Sequence, residues 1–165
     1  MQLWTAQHRA VVEVLEETGR LVGEWDRVEP SLCPVYQVMV AEMLRRGIDC
    51  EGRPPVWAWA EPDTRDIRVL ETARLLLSDN DFDRGAVVLD LDVPDEYVLR
   101  SSYASWNEVH FGFLSGERPP AMNWSIAPDE ESDPDACRIQ ACLPMVHRSW
   151  VRGIRPIDPL WTFTG

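Results

Sequence analysis

The chain reads as an α+β protein, a single compact domain over residues 1–165 with small mixed or antiparallel sheets and flanking helices. Three observations predict that class. Its 165 residues are 45% hydrophobic and 27% charged, ordinary globular proportions for a length that buries about two thirds of its unfolded surface around one core. The apolar residues switch along the chain between strict alternation and helical spacing, so both element types are present. Gly and Pro punctuate the segments, and no internal repeat or low-complexity tract interrupts them.

Residues 2–7 are predicted as a short strand. Ala10, Val11, Val14 and Leu15 then recur at helical spacing until Gly19 supplies a stop. Residues 20–33 are irregular. A second helix is expected from Pro34 to Arg46, because proline is tolerated in a first turn whose N–H has no helical partner, and Gly47 follows its end. Its stripe is Val35, Val38, Met39 and Met43. Pro54-Pro55 breaks the chain, and Val56-Trp57-Ala58-Trp59 reads as an aromatic strand, a candidate for the middle of a sheet.

Residues 66–77 suit a helix or a strand pair, with helix preferred. Ala86–Val93 alternates cleanly: Val87, Leu89, Leu91 and Val93 share one face, with Asp90 and Asp92 on the other, as in a half-solvated strand. Beyond the Pro94-Asp95 turn, Tyr97–Arg100 extends the sheet, and Ser101 or Ser102 caps a helix carrying Tyr103, Trp106, Val109 and His110. Residues 116–135 form a Pro-rich acidic loop. Arg138–Leu143 and Arg152–Ile157 are the closing strands, separated by a break near Pro144.

Charge and cysteine usage exclude several classes. With 28 acidic and 16 basic residues the chain carries a formal −12, which repels a phosphate backbone and argues against general nucleic-acid binding. No basic segment followed by an apolar run opens the sequence, and no window approaches the ~20 apolar residues of a membrane span. A cytoplasmic protein with no membrane partner is expected. Cys33, Cys50, Cys137 and Cys142 then read as reduced thiols. Cys137, Cys142 and His147 lack zinc-site spacing, and no metal is expected. Eight Trp in this length fit either an aromatic core or a cleft for flat ligands, with core the reading for most of them.

Few motifs carry chemistry. Asp79-Asn80-Asp81-Phe82-Asp83 begins like a calcium loop, but Arg84 stands where the sixth position needs glycine and Asp90 where the twelfth needs glutamate, so a solvated turn is expected. Asp90 and Asp92 have the spacing of a carboxylate pair, more commonly found on an exposed sheet face than in acid–base work. A Gly-rich phosphate loop, a nucleophile elbow and a His-Glu-x-x-His motif are absent. Between Cys137 and Ile157, Arg138, Arg148, Arg152 and Arg155 occur with no acidic residue. That basic edge suits a nucleotide phosphate or, more simply, ion pairs with the acidic run Asp129–Asp135.

Trp4-Thr5-Ala6-Gln7, Pro55-Val56-Trp57-Ala58-Trp59, Leu89-Asp90-Leu91-Asp92-Val93-Pro94 leading to Trp106, and Arg138-Ile139-Gln140-Ala141 occur in that order. Together they resemble the bacterial family of domain of unknown function 3841, which brings no established activity. Ser101-Ser102 and Pro144 depart from the pattern expected of that family, which has a Ser-Asp pair and a Trp there.

More distantly, the order of elements is similar to ADP-ribosyltransferase-like domains, which hold NAD in a cleft between small sheets. That likeness implies Thr5 and Gln7 on the first strand, Trp57 or Trp59 stacked on a ring, Arg138 near a phosphate, and Gln140 at the catalytic position usually held by Glu. An amide there can bond a ribose hydroxyl but cannot stabilise an oxocarbenium-like centre as a carboxylate does. Three readings stay open: an NAD- or nucleotide-handling transferase, a non-catalytic nucleotide or small-molecule binding module, and an acidic interaction protein that inhibits a basic partner.

Overall fold

The computed structural model describes residues 1–60, 73–74, 77, 85–126 and 139–157. In chain order its elements are β1 (Gln2–His8), α1 (Ala10–Thr18), β2 (Arg20–Leu21), α2 (Cys33–Arg45), β3 (Val56–Trp59), β4 (Ala86–Asp92), β5 (Leu99–Ser102), α3 (Tyr103–Ser115), β6 (Ile139–Leu143), β7 (Val146–His147) and β8 (Val151–Pro156). The expected α+β class holds. A six-stranded sheet runs β5-β6-β3-β1-β4-β8 with every neighbouring pair antiparallel, and β2 pairs with β7 in a small second sheet.

Register assigns the faces, because directly paired residues project to the same side. Thr5 pairs with Leu89, Leu3 with Leu91, Ala58 with Ala141 and Val56 with Leu143. This side meets Val11 and Leu15 of α1 and Val146 of β7 in an aliphatic layer. On the other side Trp4 pairs with Trp59, Trp59 with Gln140, Gln140 with Ser101, and Cys142 with both Trp57 and Leu99. Val35, Met39 and Met43 of α2 and Trp106 and Val109 of α3 pack around Leu99 and Cys142 there. Trp4, Ala6, Trp59 and Val88 form a third cluster, also holding Ala73 and Ile157.

Local signals behave as the sequence predicts at several ends. Gly19 closes α1 in the left-handed conformation, φ 75°, where its N–H reaches the Leu15 carbonyl at 3.0 Å. Ser102 caps α3, its hydroxyl accepting from the Ser105 N–H at 3.4 Å. The aromatic strand β3 lies in the interior of the sheet, between β6 and β1.

Four expectations are corrected. The 20–33 segment contains β2 and a single turn of 3-10 helix at Trp25–Arg27. Another such turn occupies Asp95–Tyr97, which delays β5 until Leu99. Strand β4 is flanked by β1 and β8 and buries Ala86 and Val88 as well as the Leu89 face, so only its Asp90–Asp92 end reaches solvent. The carboxy-terminal Arg residues find partners in the fold itself: Arg148 bonds Glu16 at 2.7 Å, Arg152 bonds Asp92 at 3.0 Å, and Arg155 grips Asp90 at 2.8 and 3.0 Å. Asp90 and Asp92 are thereby engaged as ion-pair acceptors. Of the expected 66–77 helix only Ala73, Arg74 and Leu77 are described, the first two as helical. The acidic turn 79–83, the acidic run 129–135 and Arg138 lie outside the described residues.

Candidate functional site

The sheet divides the predicted site residues between its two faces. Thr5 and Gln7 project toward α1, and their polar groups are closed by neighbours: the Thr5 hydroxyl donates to the Trp57 carbonyl at 2.6 Å, and Gln7 Nε2 donates to Thr5 Oγ1 at 2.9 Å. Trp57, Trp59 and Gln140 project to the opposite face, toward α2 and α3. Trp59 pairs with Gln140, Trp57 lies on the same face beside Cys142, and Thr5 and Gln7 are not with them.

Gln140 is fully buried on β6, between Trp59 on one neighbouring strand and Ser101 on the other. Its Nε2 donates to Ser101 Oγ at 2.8 Å, while its Oε1 is buried without a hydrogen-bond partner. The large majority of buried side-chain polar atoms find partners, so such an oxygen marks either a cost of about 1–3 kcal/mol or a place where something else donates.

The surroundings are aromatic. Trp57 lies 5.2 Å from Tyr36 of α2 and 5.3 Å from Trp106 of α3, ring centre to ring centre. Tyr103 meets Trp59 edge-on at 5.4 Å and stacks on Trp106 at 5.7 Å, and His110 follows Trp106 at 5.1 Å. The α3 contributors sit at positions 103, 106 and 110, the three- and four-residue steps that place side chains on one helix face. The indole N–H groups of Trp57 and Trp106 and Nε2 of His110 are also buried without hydrogen-bond partners. One aromatic cluster thus contains one orphan acceptor, two orphan donors and a ring nitrogen of either role.

Acid–base character narrows the chemistry. Burial pushes the Cys142 thiol well up, with Cys50 adding to the effect, and burial followed by Asp49 pushes Cys50 up to about 11. Both sulfurs stay protonated at neutral pH and are poor nucleophiles. Burial also raises the Tyr36 phenol above its ordinary range, as Cys142 does; the Trp57 N–H facing it offsets part of this without closing a hydrogen bond of normal geometry. Gln140, paired with Trp59 and Ser101, is itself an uncharged amide and carries no negative charge to stabilise a cationic centre. The arrangement is equipped to hold a flat polar molecule by ring contact and hydrogen bonding.

Sequence reasoning did not find Ser101, Tyr36, Tyr103, Trp106 and His110 as members of this cluster. A signal for the last three existed in the helical spacing of aromatic and imidazole groups. Nothing local marks Tyr36 or Ser101, which arrive through tertiary packing and strand register. No described helix is long and apolar enough to cross a membrane.

No curated protein and no solved structure matches the chain. A family match covers β1 through most of α3, including Trp57, Trp59, Ser101 and Trp106, and stops before β6 and Gln140. That match, to the family described as Domain of unknown function (DUF3841), spans residues 2–114, more than half of the 165-residue chain, and the chain belongs to that family.

Proposed function

We propose that this protein is a nucleotide-handling module that holds a planar nitrogen-containing ring, such as a nucleobase or the nicotinamide of NAD, on the α2/α3 face of the sheet beside Gln140. The observation that carries it is the fully buried Gln140 carbonyl oxygen without a hydrogen-bond partner, fixed in orientation by the Nε2–Ser101 bond and adjacent to Trp59. A ring bearing an N–H donor completes that oxygen. Trp57 and Trp106 offer N–H groups to an acceptor on the same molecule, and the aromatic faces contribute stacking of about 0.5–1.5 kcal/mol per pair.

Holding fits these residues better than group transfer. If the chain shared the ADP-ribosyltransferase-like order of elements, Gln140 would take the place of a catalytic Glu, and an amide supplies hydrogen bonds but no negative charge for an oxocarbenium-like centre. Gln140 is therefore a binding residue in this reading.

Titration calorimetry and melting curves with adenosine, NAD and nicotinamide test it. At ligand concentrations 100-fold above Kd, native-state binding stabilises by about 2.7 kcal/mol, a shift of several degrees. Gln140→Met is expected to abolish the shift while the ligand-free protein stays folded. Equal shifts in the two proteins, or no shift with any of the three compounds, would reject the proposal.

A further inference from the structure

The chain leaving α3 does not turn away from the molecule. Gly116 ends the helix in the left-handed conformation, φ 70°, and residues 117–126 follow without regular structure. Two of them, Met122 and Trp124, pack against the cluster that contains Cys142, Trp106 and Val109, with Trp57 and Tyr103 beside it. This segment is a strap across the helices that border the aromatic site.

Its attachments are unusual in kind. Among the described residues no backbone–backbone hydrogen bond joins residues 118–126 to any element of the fold. Besides the packing of Met122 and Trp124, contacts at the two ends of the segment hold it. At one end Pro119 crosses α3 at Gly112 so closely that a Cβ on Gly112 would lie 2.6 Å from Pro119 Cα and 2.9 Å from its Cβ. At the other, the Arg46 guanidinium lies over the Trp124 ring, 5.9 Å from its centre, and is itself held by Glu42 through a 2.7 Å bond from Nε to Oε1. A segment held by side-chain packing, with no backbone ladder among the described residues, belongs to the low-stability end of a fold, where local opening precedes global unfolding.

We propose that residues 117–126 form a strap that opens locally, hinged at Gly116, to give access to the aromatic cluster around Trp57, Trp106 and Gln140. As a means of regulating access it rests on the reading of that cluster as a ligand site. The opening itself needs no ligand. Gly112 keeps the strap seated by letting Pro119 approach the helix, and Arg46 keeps it seated through Trp124.

Cys142 reports the opening, because it is fully buried in the cluster against which Met122 and Trp124 pack. The rate of its alkylation by N-ethylmaleimide, read by peptide mass spectrometry along a urea series, distinguishes local from global opening. In the native chain the rate is expected to depend on urea much less steeply than global unfolding does. Gly112→Ala removes the close approach of Pro119 and is expected to speed Cys142 labelling at least tenfold. A structural role without gating predicts that the same clash lowers the melting temperature and that Cys142 labelling rises only in step with that loss of global stability. Trp124→Ala, which leaves α3 untouched, should speed labelling similarly and serves if Gly112→Ala does not fold.

Labelling that follows global stability in the native chain and both variants overturns the proposal. A second arm adds adenosine or NAD. Protection of Cys142 by either supports a gate over a nucleotide site. Fast labelling in the variants with no protection by either compound supports the gate and counts against the nucleotide reading alone.

Discussion

On the α1 side of the central sheet, Leu3, Val56, Leu89, Leu143 and Val146 meet Val11 and Leu15 in an aliphatic layer, and the buried Thr5 hydroxyl is closed between Gln7 and the Trp57 carbonyl. On the α2/α3 side the same strands present Trp57, Trp59 and Cys142 to Tyr36, Tyr103 and Trp106, and Gln140, Trp57, Trp106 and His110 each carry a buried polar atom without a hydrogen-bond partner. A face packed only for stability has no reason to collect unpaired polar atoms, each of which costs free energy that an apolar side chain of similar size would not. The contrast sets a face whose buried polar groups are paired against one that carries several unpaired ones.

The largest expected effect falls on the aliphatic face. Leu89 is fully buried there, and Leu89→Ala removes its transfer energy and leaves a cavity, at a cost of about 2–5 kcal/mol. Urea denaturation should show that loss. Any ligand-induced rise in melting temperature should survive it, because the residues that would touch the ligand lie across the sheet.

A sharper comparison sets two buried polar residues against each other. Thr5→Val leaves both the Gln7 amide and the Trp57 carbonyl without their partner and should cost about 1–3 kcal/mol. Gln140→Met removes the orphan oxygen and the bond to Ser101 together, so its gains and losses offset and the change should stay within about 1 kcal/mol. The two variants should therefore differ clearly in urea midpoint, with Thr5→Val the less stable. If Gln140→Met proves as costly as Thr5→Val, Gln140 is part of a structural network and the contrast between the faces collapses.

The elements were legible in the sequence where a local signal decides them. Gly19 ends α1, Pro34 opens the first turn of α2, Ser102 caps α3, and alternation marks β4. Strand neighbours were not legible, since no periodicity states that Trp59 lies beside Gln140 or that β8 covers the edge of β4. That gap is why the sequence alone groups Thr5 with Trp57 and Trp59. Period two fixes which residues of one strand share a face, but only register fixes which faces of two strands coincide. The partners of Arg152 and Arg155 are not legible for the same reason: Asp92 and Asp90, rather than the acidic run 129–135, pair with them, and these lie 60 and 65 residues away in the chain and meet them only through the β4–β8 pairing.

The smallest predicted effect compares ion pairs on the two sides and depends on pH. On the α1 side Arg148 and Glu16 are 42% and 55% exposed, so solvent and salt screen them and Glu16→Gln should change stability by less than about 1 kcal/mol. On the other side Glu42 is buried at the end of α2, where Arg45 binds both its oxygens and Arg46 binds one. The hydrogen bonds from Arg45 come first and outweigh burial, with Arg46 adding to them, so the Glu42 carboxyl is lowered from 4.5 to about 2. A carboxyl with a depressed folded pKa contributes stability that is fully present above its unfolded value, near 4.5, and is lost as pH falls toward 2. Because Arg45 is 68% exposed, the contribution is discounted for solvent screening to about 1–2 kcal/mol. Urea denaturation of the native chain and Glu42→Gln should therefore differ by that amount at pH 7 and converge between pH 4.5 and 2. A difference that stays constant across this window would show that Glu42 acts through packing or neutral hydrogen bonds.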